Sequence, residues 1–255
     1  MAKIKVIQVN IFKGKYLDSL VDFLKKEDAD FVTMQEVSTN VANYYDDKTL
    51  DLFEFIKEKL HMNGTFFKMV EFFDAPDAGV GNAVLSKFPI VNSKKIVLHK
   101  YKPISLATYD EPKYFPYFAR IMVDATADIG STKIHVLSTH GAWTAPPTDT
   151  PETLRQAELI ASYLKTLDAP FIIGGDMNTT SDKLVIKIIE KAAVNLLDDS
   201  GIEYTTHPTM HKIAPRKLAV DYIFTSKEFK RISIEAPVVV VSDHLPVIAE
   251  LEIVS

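Results

Sequence analysis

The chain is 255 residues long, with 29 basic and 34 acidic residues and a net charge of −5. That balance argues against a general nucleic-acid coat protein, which needs an overall basic surface, but leaves room for a local basic groove or for a site where metal ions supply positive charge. With no cysteine there is no disulfide, thiolate nucleophile or cysteine metal site, and a 47% hydrophobic chain of this length buries enough surface to fold without such a staple.

Lys3 to Asn10 alternates lysine with isoleucine and valine, the period of a strand. Gln8 and Asn10 interrupt any leader-like apolar core, so cytoplasmic residence is the default expectation, with secretion after removal of a leader left open. Leu17, Leu20, Val21 and Leu24 mark an amphipathic helix over Leu17–Lys26. Ala29–Val37 is a continuous apolar run ending in Gln35-Glu36-Val37, a buried strand that delivers a carboxylate at its end. A second helix is expected over Thr49–Leu60, then strands at Thr65–Phe72, Asn82–Phe88, Ile90–Leu98, Phe118–Thr126 and Lys133–Thr139. Thr150-Pro151 starts a helix that should run to about Leu167, an N-cap followed by proline in the first turn. Phe171–Ile173 reads as a short buried strand that breaks at Gly174-Gly175. A helix from Ser181 and strands near Val220–Thr225, Ile232–Val241 and Pro246–Ile253 complete the chain. Many strands with short connections and a few helices predict an α/β fold with largely antiparallel sheets. No linker or repeat divides it, so residues 1–255 are expected to form one domain, and no apolar run approaches the ~20 residues of a membrane span.

Polar residues interrupt these strands at their ends, repeatedly and far apart: Asn10, Glu36, Asn82, His140, Asp176 with Asn178, Asp221, and Asp243 with His244. A strand end feeding a loop is where a rigid scaffold presents functional groups. The carboxylates suit a hard divalent cation, the histidines suit phosphate oxygens or proton transfer, and the asparagines can donate to phosphate or accept from water. Taken singly, Asp221 reads as a capped strand start and Asn10 as a turn residue, while His140 and His244 fit a structural role as well as a catalytic one. Glu36 is harder to dismiss, because a carboxylate ending so apolar a strand needs a partner. Gly174-Gly175-Asp176-Met177-Asn178 is the most specific local signal, and Ser242-Asp243-His244-Leu245-Pro246 the second.

The ordered set Gln8-Val9-Asn10, Gln35-Glu36-Val37, Gly81-Asn82 through Pro89, Ser138-Thr139-His140, Gly175-Asp176-Met177-Asn178, Val220-Asp221-Tyr222 and Ser242-Asp243-His244 resembles the deoxyribonuclease-I-like endonuclease/exonuclease/phosphatase superfamily over nearly the whole chain. The resemblance implies a four-layered α/β/β/α sandwich and Mg²⁺- or Mn²⁺-dependent hydrolysis of a phosphate ester. It implies Glu36 as principal metal ligand, with Asn10 beside it and Asp243 close by. Asp176 would orient or deprotonate the attacking water, and Asn178 would hold a phosphate oxygen. His244 would contact the scissile phosphate with its ring fixed by Asp221, and His140 would be a second phosphate contact. Abasic-site endonucleases carry a tyrosine where this chain has His140, which points away from that branch.

Substrate is less determined. Phosphodiesters are favoured over monoesters, with nonspecific DNA cleavage or a lipid phosphoester as alternatives and an inert binding protein on the same fold as a remote one. Nucleic acid is therefore a candidate partner, and no obligate protein partner is indicated. Asn82, Arg120 and Trp143 are candidate substrate contacts. The aromatics between Tyr101 and Phe118 form either a wall for a base or sugar or a loop packed on the sandwich, and Trp143 either a stacking platform or a pin. His211-Lys212 with Arg216-Lys217 is the best candidate basic patch, a solvated loop being the commoner fate of such clusters.

Overall fold

In the computed structural model, which describes residues 3–130, 132–213 and 217–254, the first strand β1 (Lys3–Asn10) sorts its side chains by parity. Ile4 and Val6 join one apolar cluster and Ile7 and Val9 another, as the two faces of a strand require. The first cluster fills the space between two sheets. The second lies between the first sheet and two helices, α1 (Leu17–Glu27) and α2 (Leu52–Leu60).

The first sheet also contains β2 (Phe31–Thr39), β3 (Asn63–Glu71), β4 (Gly79–Ser86), β11 (Phe229–Glu235) and β12 (Val247–Ile253), in the order β11-β12-β1-β2-β4-β3. The second contains β5 (Ile90–His99), β6 (Arg120–Asp128), β7 (Lys133–His140), β8 (Phe171–Asp176), β10 (Asp221–Thr225) and the two-residue β9 (Val194–Asn195), in the order β5-β6-β7-β8-β10-β9. Helices α3 (Pro151–Leu164) and α4 (Leu184–Glu190) cover its outer face through a third cluster that includes Leu137, Ile160, Ile173 and Ile186. The result is the expected four-layered α/β/β/α sandwich. Each sheet has one parallel pair at its centre, β1 with β2 and β7 with β8, and antiparallel strands outside it. The crossovers that parallel pairing demands are carried by α1 and α3.

The helix ends follow their sequences. Thr150 caps α3 in a reciprocal box with Thr153, with Pro151 at the first turn, and Asp51 caps α2 through the Glu54 N–H at 3.1 Å. Each such cap contributes ~1 kcal/mol. Two expectations are corrected. The segment Phe171–Ile173 does not break at Gly174-Gly175 but stays in the ladder to Asp176, pairing with both β7 and β10. A Cβ built on Gly174 would lie 2.1 Å from Thr33 Oγ1, so this glycine serves close approach between sheets and no turn. The strand expected at Ile232–Val241 begins earlier, at Phe229, and ends at Glu235, because Pro237 removes a ladder donor.

Candidate active site

The inner rows of the central strands change character along their length. In β1 the row reads Ile4, Val6, Gln8, Asn10, in β7 Ile134, Val136, Ser138, His140, and in β8 Ile172, Gly174, Asp176. All turn from apolar to polar toward their carboxyl ends, and β10, running the other way, begins with Asp221 at that same end. Between the sheets the polar rows interlock. Thr33 Oγ1 donates to Gln8 Oε1 at 2.7 Å, Gln35 Nε2 donates to Ser138 Oγ at 3.0 Å, and Ser138 Oγ donates to the Met34 carbonyl at 2.9 Å. Gln8 and Gln35 also bond to each other, and Gln8 Nε2 reaches Asp221 Oδ1 at 3.4 Å.

This polar layer is the floor of the site. Asp221 is fully buried; its Oδ2 accepts from Thr205 Oγ1 at 2.7 Å and faces His244 Nδ1 at 2.8 Å. Burial alone would lower the His244 pKa, but the Asp221 and Asp176 carboxylates outweigh it and hold the ring well above its usual range. On the far side, His244 Nε2 lies 3.8 Å from Asp176 Oδ2. The same oxygen lies 3.5 Å from His140 Nε2 and accepts from Asn10 Nδ2 at 3.1 Å, while Asp176 Oδ1 accepts the Asn178 N–H at 2.9 Å. His140 differs from His244: burial and the nearby Arg120 guanidinium push its pKa down to about 3, so it is neutral. Asn178 sits at φ +52° and donates from Nδ2 to the Gly141 carbonyl at 3.1 Å.

Glu36 reaches this group through a defect in its strand. The β2–β4 register shifts between Met34 and Val37, and Glu36 itself has φ +54°. A bulge of this kind re-aims a side chain, here turning the carboxylate toward Asn10, whose Nδ2 donates to Glu36 Oε1 at 3.2 Å. Asn10 Oδ1 is taken by the Phe12 N–H at 3.0 Å, so the amide bridges Glu36 and Asp176 through its nitrogen. Burial raises the Glu36 pKa against the opposing pull of Lys13, and the Lys13 pKa is in turn lowered by burial. Burial works against the Asp243 charge, but His211 Nδ1, 3.4 Å from its Oδ2, and the His244 ring hold its pKa below its ordinary range.

Lys13 was not singled out by the motifs. It is 5% exposed, in a run of three positive-φ residues (Phe12, Lys13, Gly14), and pairs with Tyr44 Oη and Asp110 Oδ1 beneath the Tyr109 ring. The sequence signal was present, since Gly14, four residues past the end of β1 in Phe12-Lys13-Gly14, marks a tight turn at a functional strand end. The polar turn along each inner row is a second signal, visible only when residues are read by alternate position.

A cavity of about 280 Å³ opens over these groups, lined by Glu36, His140, Asp176, Asn178, Asp243 and His244. Tyr109, Phe115, Phe118 and Trp143 wall it, with Trp143 edge-on to Phe115 at 5.3 Å. Arg120 lines it too: the residue is 3% exposed, and among the described residues its Nε has no hydrogen-bond partner and its Nη atoms reach only Met69 Sδ at 3.8 Å and the Phe115 carbonyl at 3.4 Å. Asn82 is not among the lining residues; it donates from Nδ2 to the Ile121 carbonyl at 2.9 Å, tying one sheet to the other. Of the basic cluster, three residues are described, and they have different surroundings. His211 lies 3.4 Å from Asp243 Oδ2 and lines the cavity with Lys212, Lys217 sits over the Tyr204 ring, and Arg216 lies outside the described residues. Among the described residues, His–carboxylate groups close enough to share one ion are Asp176–Asp221–His244 and His211–Asp243–His244.

The model of the Endonuclease/Exonuclease/phosphatase family matches residues 7–244. No curated protein matches the chain. Among solved structures, an endonuclease/exonuclease/phosphatase from Bacteroides vulgatus superposes with a TM-score of 0.75 at 19% identity, covering 99% of this chain and 100% of that one. The mannosyl-6-phosphatase Bt3783 of Bacteroides thetaiotaomicron gives 0.71 at 16%, covering 98% and 99%. The human Nocturnin catalytic domain with bound sulfate gives 0.72 at 18%, covering 98% and 94%. At such identities the likeness is one of fold.

Proposed function

Because the chain belongs to the endonuclease/exonuclease/phosphatase family, we propose that it hydrolyses a phosphodiester by in-line attack of water, with Mg²⁺ or Mn²⁺ as cofactor. The family's members are phosphoesterases and nucleases. The observation that carries the reading is the convergence on Asp176 Oδ2, which has Asn10 Nδ2 at 3.1 Å, His140 Nε2 at 3.5 Å and His244 Nε2 at 3.8 Å around it in one cavity.

The residues present fit a divalent cation. Glu36 has a single side-chain hydrogen bond, and burial works against its charge, so a cation would relieve an otherwise poorly compensated carboxylate. Glu36 and Asp243 offer the hard oxygen donors that Mg²⁺ and Mn²⁺ prefer. Asn10 would position Glu36 through Nδ2 and, with one lone pair of Oδ1 taken by the Phe12 N–H, keep the other for the ion. When bound, the ion neutralises charge that accumulates on phosphate oxygens.

The protein's own groups supply the rest. Asp176, held by Asn10 and by the Asn178 N–H, keeps its carboxylate fixed to orient the water and accept its proton. Asp221 fixes the His244 ring, so that Nε2–H points into the cavity as a cationic donor to a phosphoryl oxygen or the departing oxygen. Neutral His140 gives a second N–H contact, Asn178 a third donor, and the buried Arg120, short of partners, an anchor for a substrate anion. Trp143 and Phe115 offer an aromatic wall for a base or sugar.

Monoester cleavage is a second reading, supported by the cavity itself. About 280 Å³ with aromatic sides suits one sugar or base better than the backbone of a duplex. The test is hydrolysis of bis(p-nitrophenyl) phosphate, p-nitrophenyl phosphate and supercoiled plasmid with Mg²⁺, Mn²⁺ or EDTA, alongside Asp176→Ala/His244→Ala. Metal-dependent turnover of the diester, absent from the variant, supports the first reading; turnover of the monoester alone selects the second. No turnover of any substrate with either metal would overturn both.

A further inference from the structure

We propose that a groove beside the catalytic cavity, formed by the end of β5 and the loop after it, is a binding track for single-stranded nucleic acid flanking the scissile phosphate. This rests on the phosphodiester reading and narrows its substrate. Three rings stand in file at its edge: His99 and Tyr101 line the groove, and Tyr117 packs beside Tyr101 just outside that lining. His99 and Tyr101 lie 6.2 Å apart with planes at 22°, and Tyr101 and Tyr117 lie 5.9 Å apart at 34°. Both tyrosines are about half exposed, at 47% and 52%. Both tyrosines keep about half their surface in water although they touch each other, and nucleobases stack on such exposed faces whatever their sequence.

The groove has a volume of about 210 Å³ and carries Lys95, Lys100 and Lys102 against one carboxylate, Glu71. Lys95 is engaged with the Lys68 carbonyl at 2.6 Å, but among the described residues neither Lys100 nor Lys102 has an ion-pair partner. Lysines along an edge strand are a common guard against edge-to-edge pairing, and β5 is an edge. Lys100 and Lys102 lie past the end of that strand at His99, where there is no ladder edge to guard. They gather positive charge locally on a chain of net charge −5.

The groove adjoins the site across the buried Met69 side chain. Met69 lines both the groove and the catalytic cavity, and its sulfur touches Arg120 Nη1. A strand with its scissile phosphate over His244 and Asp176 and a neighbouring phosphate toward Arg120 would continue across Met69 onto Tyr101 and Tyr117. A polyanion with bases meets both features of the groove. An anionic membrane would use the lysines but leave the ring file without a role.

The test is fluorescence anisotropy of a labelled twelve-residue oligothymidylate in EDTA, so that binding is read without turnover. Wild type is compared with Tyr101→Ala/Tyr117→Ala, with Tyr101→Phe/Tyr117→Phe, and with Lys100→Gln/Lys102→Gln. The alanine pair should weaken binding tenfold or more, and the phenylalanine pair should restore it. The glutamine pair should lower the slope of log K against log salt by about 1.4, from ~0.7 per phosphate contact. All variants should hydrolyse bis(p-nitrophenyl) phosphate like wild type, because that substrate does not reach the groove. Equal oligonucleotide binding by wild type and the alanine pair would overturn the proposal, and so would binding to phosphatidylserine vesicles with none to the oligonucleotide. If wild type fails on the aryl diester, the phosphodiester reading falls, while the binding measurement still decides the groove.

Discussion

Gly174→Ala tests the idea that one missing side chain lets the two sheets share a polar floor. The added Cβ would sit 2.1 Å from Thr33 Oγ1, 2.9 Å from Gln8 Oε1 and 3.0 Å from Thr33 Cβ. Thr33 can escape only by turning its hydroxyl away from Gln8, which breaks a 2.7 Å hydrogen bond in a fully buried place. Overpacking a core of this density costs ~1–3 kcal/mol. A buried polar atom left without its partner costs ~1–3 kcal/mol more. The variant should therefore lose ~2–6 kcal/mol, a large share of the ~5–15 kcal/mol typical of a domain. Urea unfolding followed by circular dichroism would show it as a lower midpoint with an unchanged slope. The mechanism has a second signature: Thr33→Ala removes the obstructing oxygen, so it should cost less in the Gly174→Ala background than in wild type, a favourable coupling in a double-mutant cycle. A loss below ~0.5 kcal/mol, or costs that simply add, would refute the reasoning.

Three further outcomes follow from the geometry. Asp221→Asn keeps the shape but presents an amide to His244 Nδ1, removing the charge that raises the ring's pKa; kcat should fall ~10²–10⁴-fold with little change in KM, and activity within threefold of wild type would exclude the role. Lys13→Met removes a cation next to Glu36 and should tighten Mn²⁺ binding about fivefold by calorimetry, the ~1 kcal/mol of one partly compensated charge; weaker binding would contradict it. Far from the site, His135 Nδ1 lies 2.9 Å from buried Asp124, whose other oxygen accepts from Tyr163 Oη at 2.6 Å, and the Asp124 hydrogen bond raises the His135 pKa against partial burial. A raised folded-state pKa means stability fully present below the unfolded value of ~6.5 and lost as pH rises through the folded value. His135→Gln should flatten that part of the stability–pH curve, and an unchanged slope would remove His135 as its source.

What could be read from the chain alone was set by periodicity. Strands such as Lys3–Asn10 and Lys133–Thr139 and helices such as Leu17–Lys26 carry regular apolar spacing, and the structure has elements there. The polar residues at strand ends stood out for the same reason, as breaks in a pattern. Gly174-Gly175 misled because glycine favours turns when seen locally, while the Thr33 hydroxyl that excludes a side chain comes from another sheet. Asn82 looked like a site residue because it too breaks an apolar run, yet its amide serves the Ile121 carbonyl across the sandwich. Lys13 and Asp110 escaped notice because their meeting depends on a positive-φ turn and a loop about a hundred residues later. Distance along the chain hid these contacts; their chemistry did not.

The placement of β12 beside β1 has a consequence for how the enzyme comes into being. Lys3 pairs with Glu252 and Gln8 with Val247, so the first strand acquires its second neighbour only when the last has been made. Contacts this far apart in sequence close late and slowly. His244 lies three residues before that strand, and Asn10 ends the one it joins. A nascent or partly unfolded chain therefore lacks His244 in its place between Asp221 and Asp176 for as long as it lacks a finished sheet. On the proposed mechanism, hydrolytic competence would await the completed sheet.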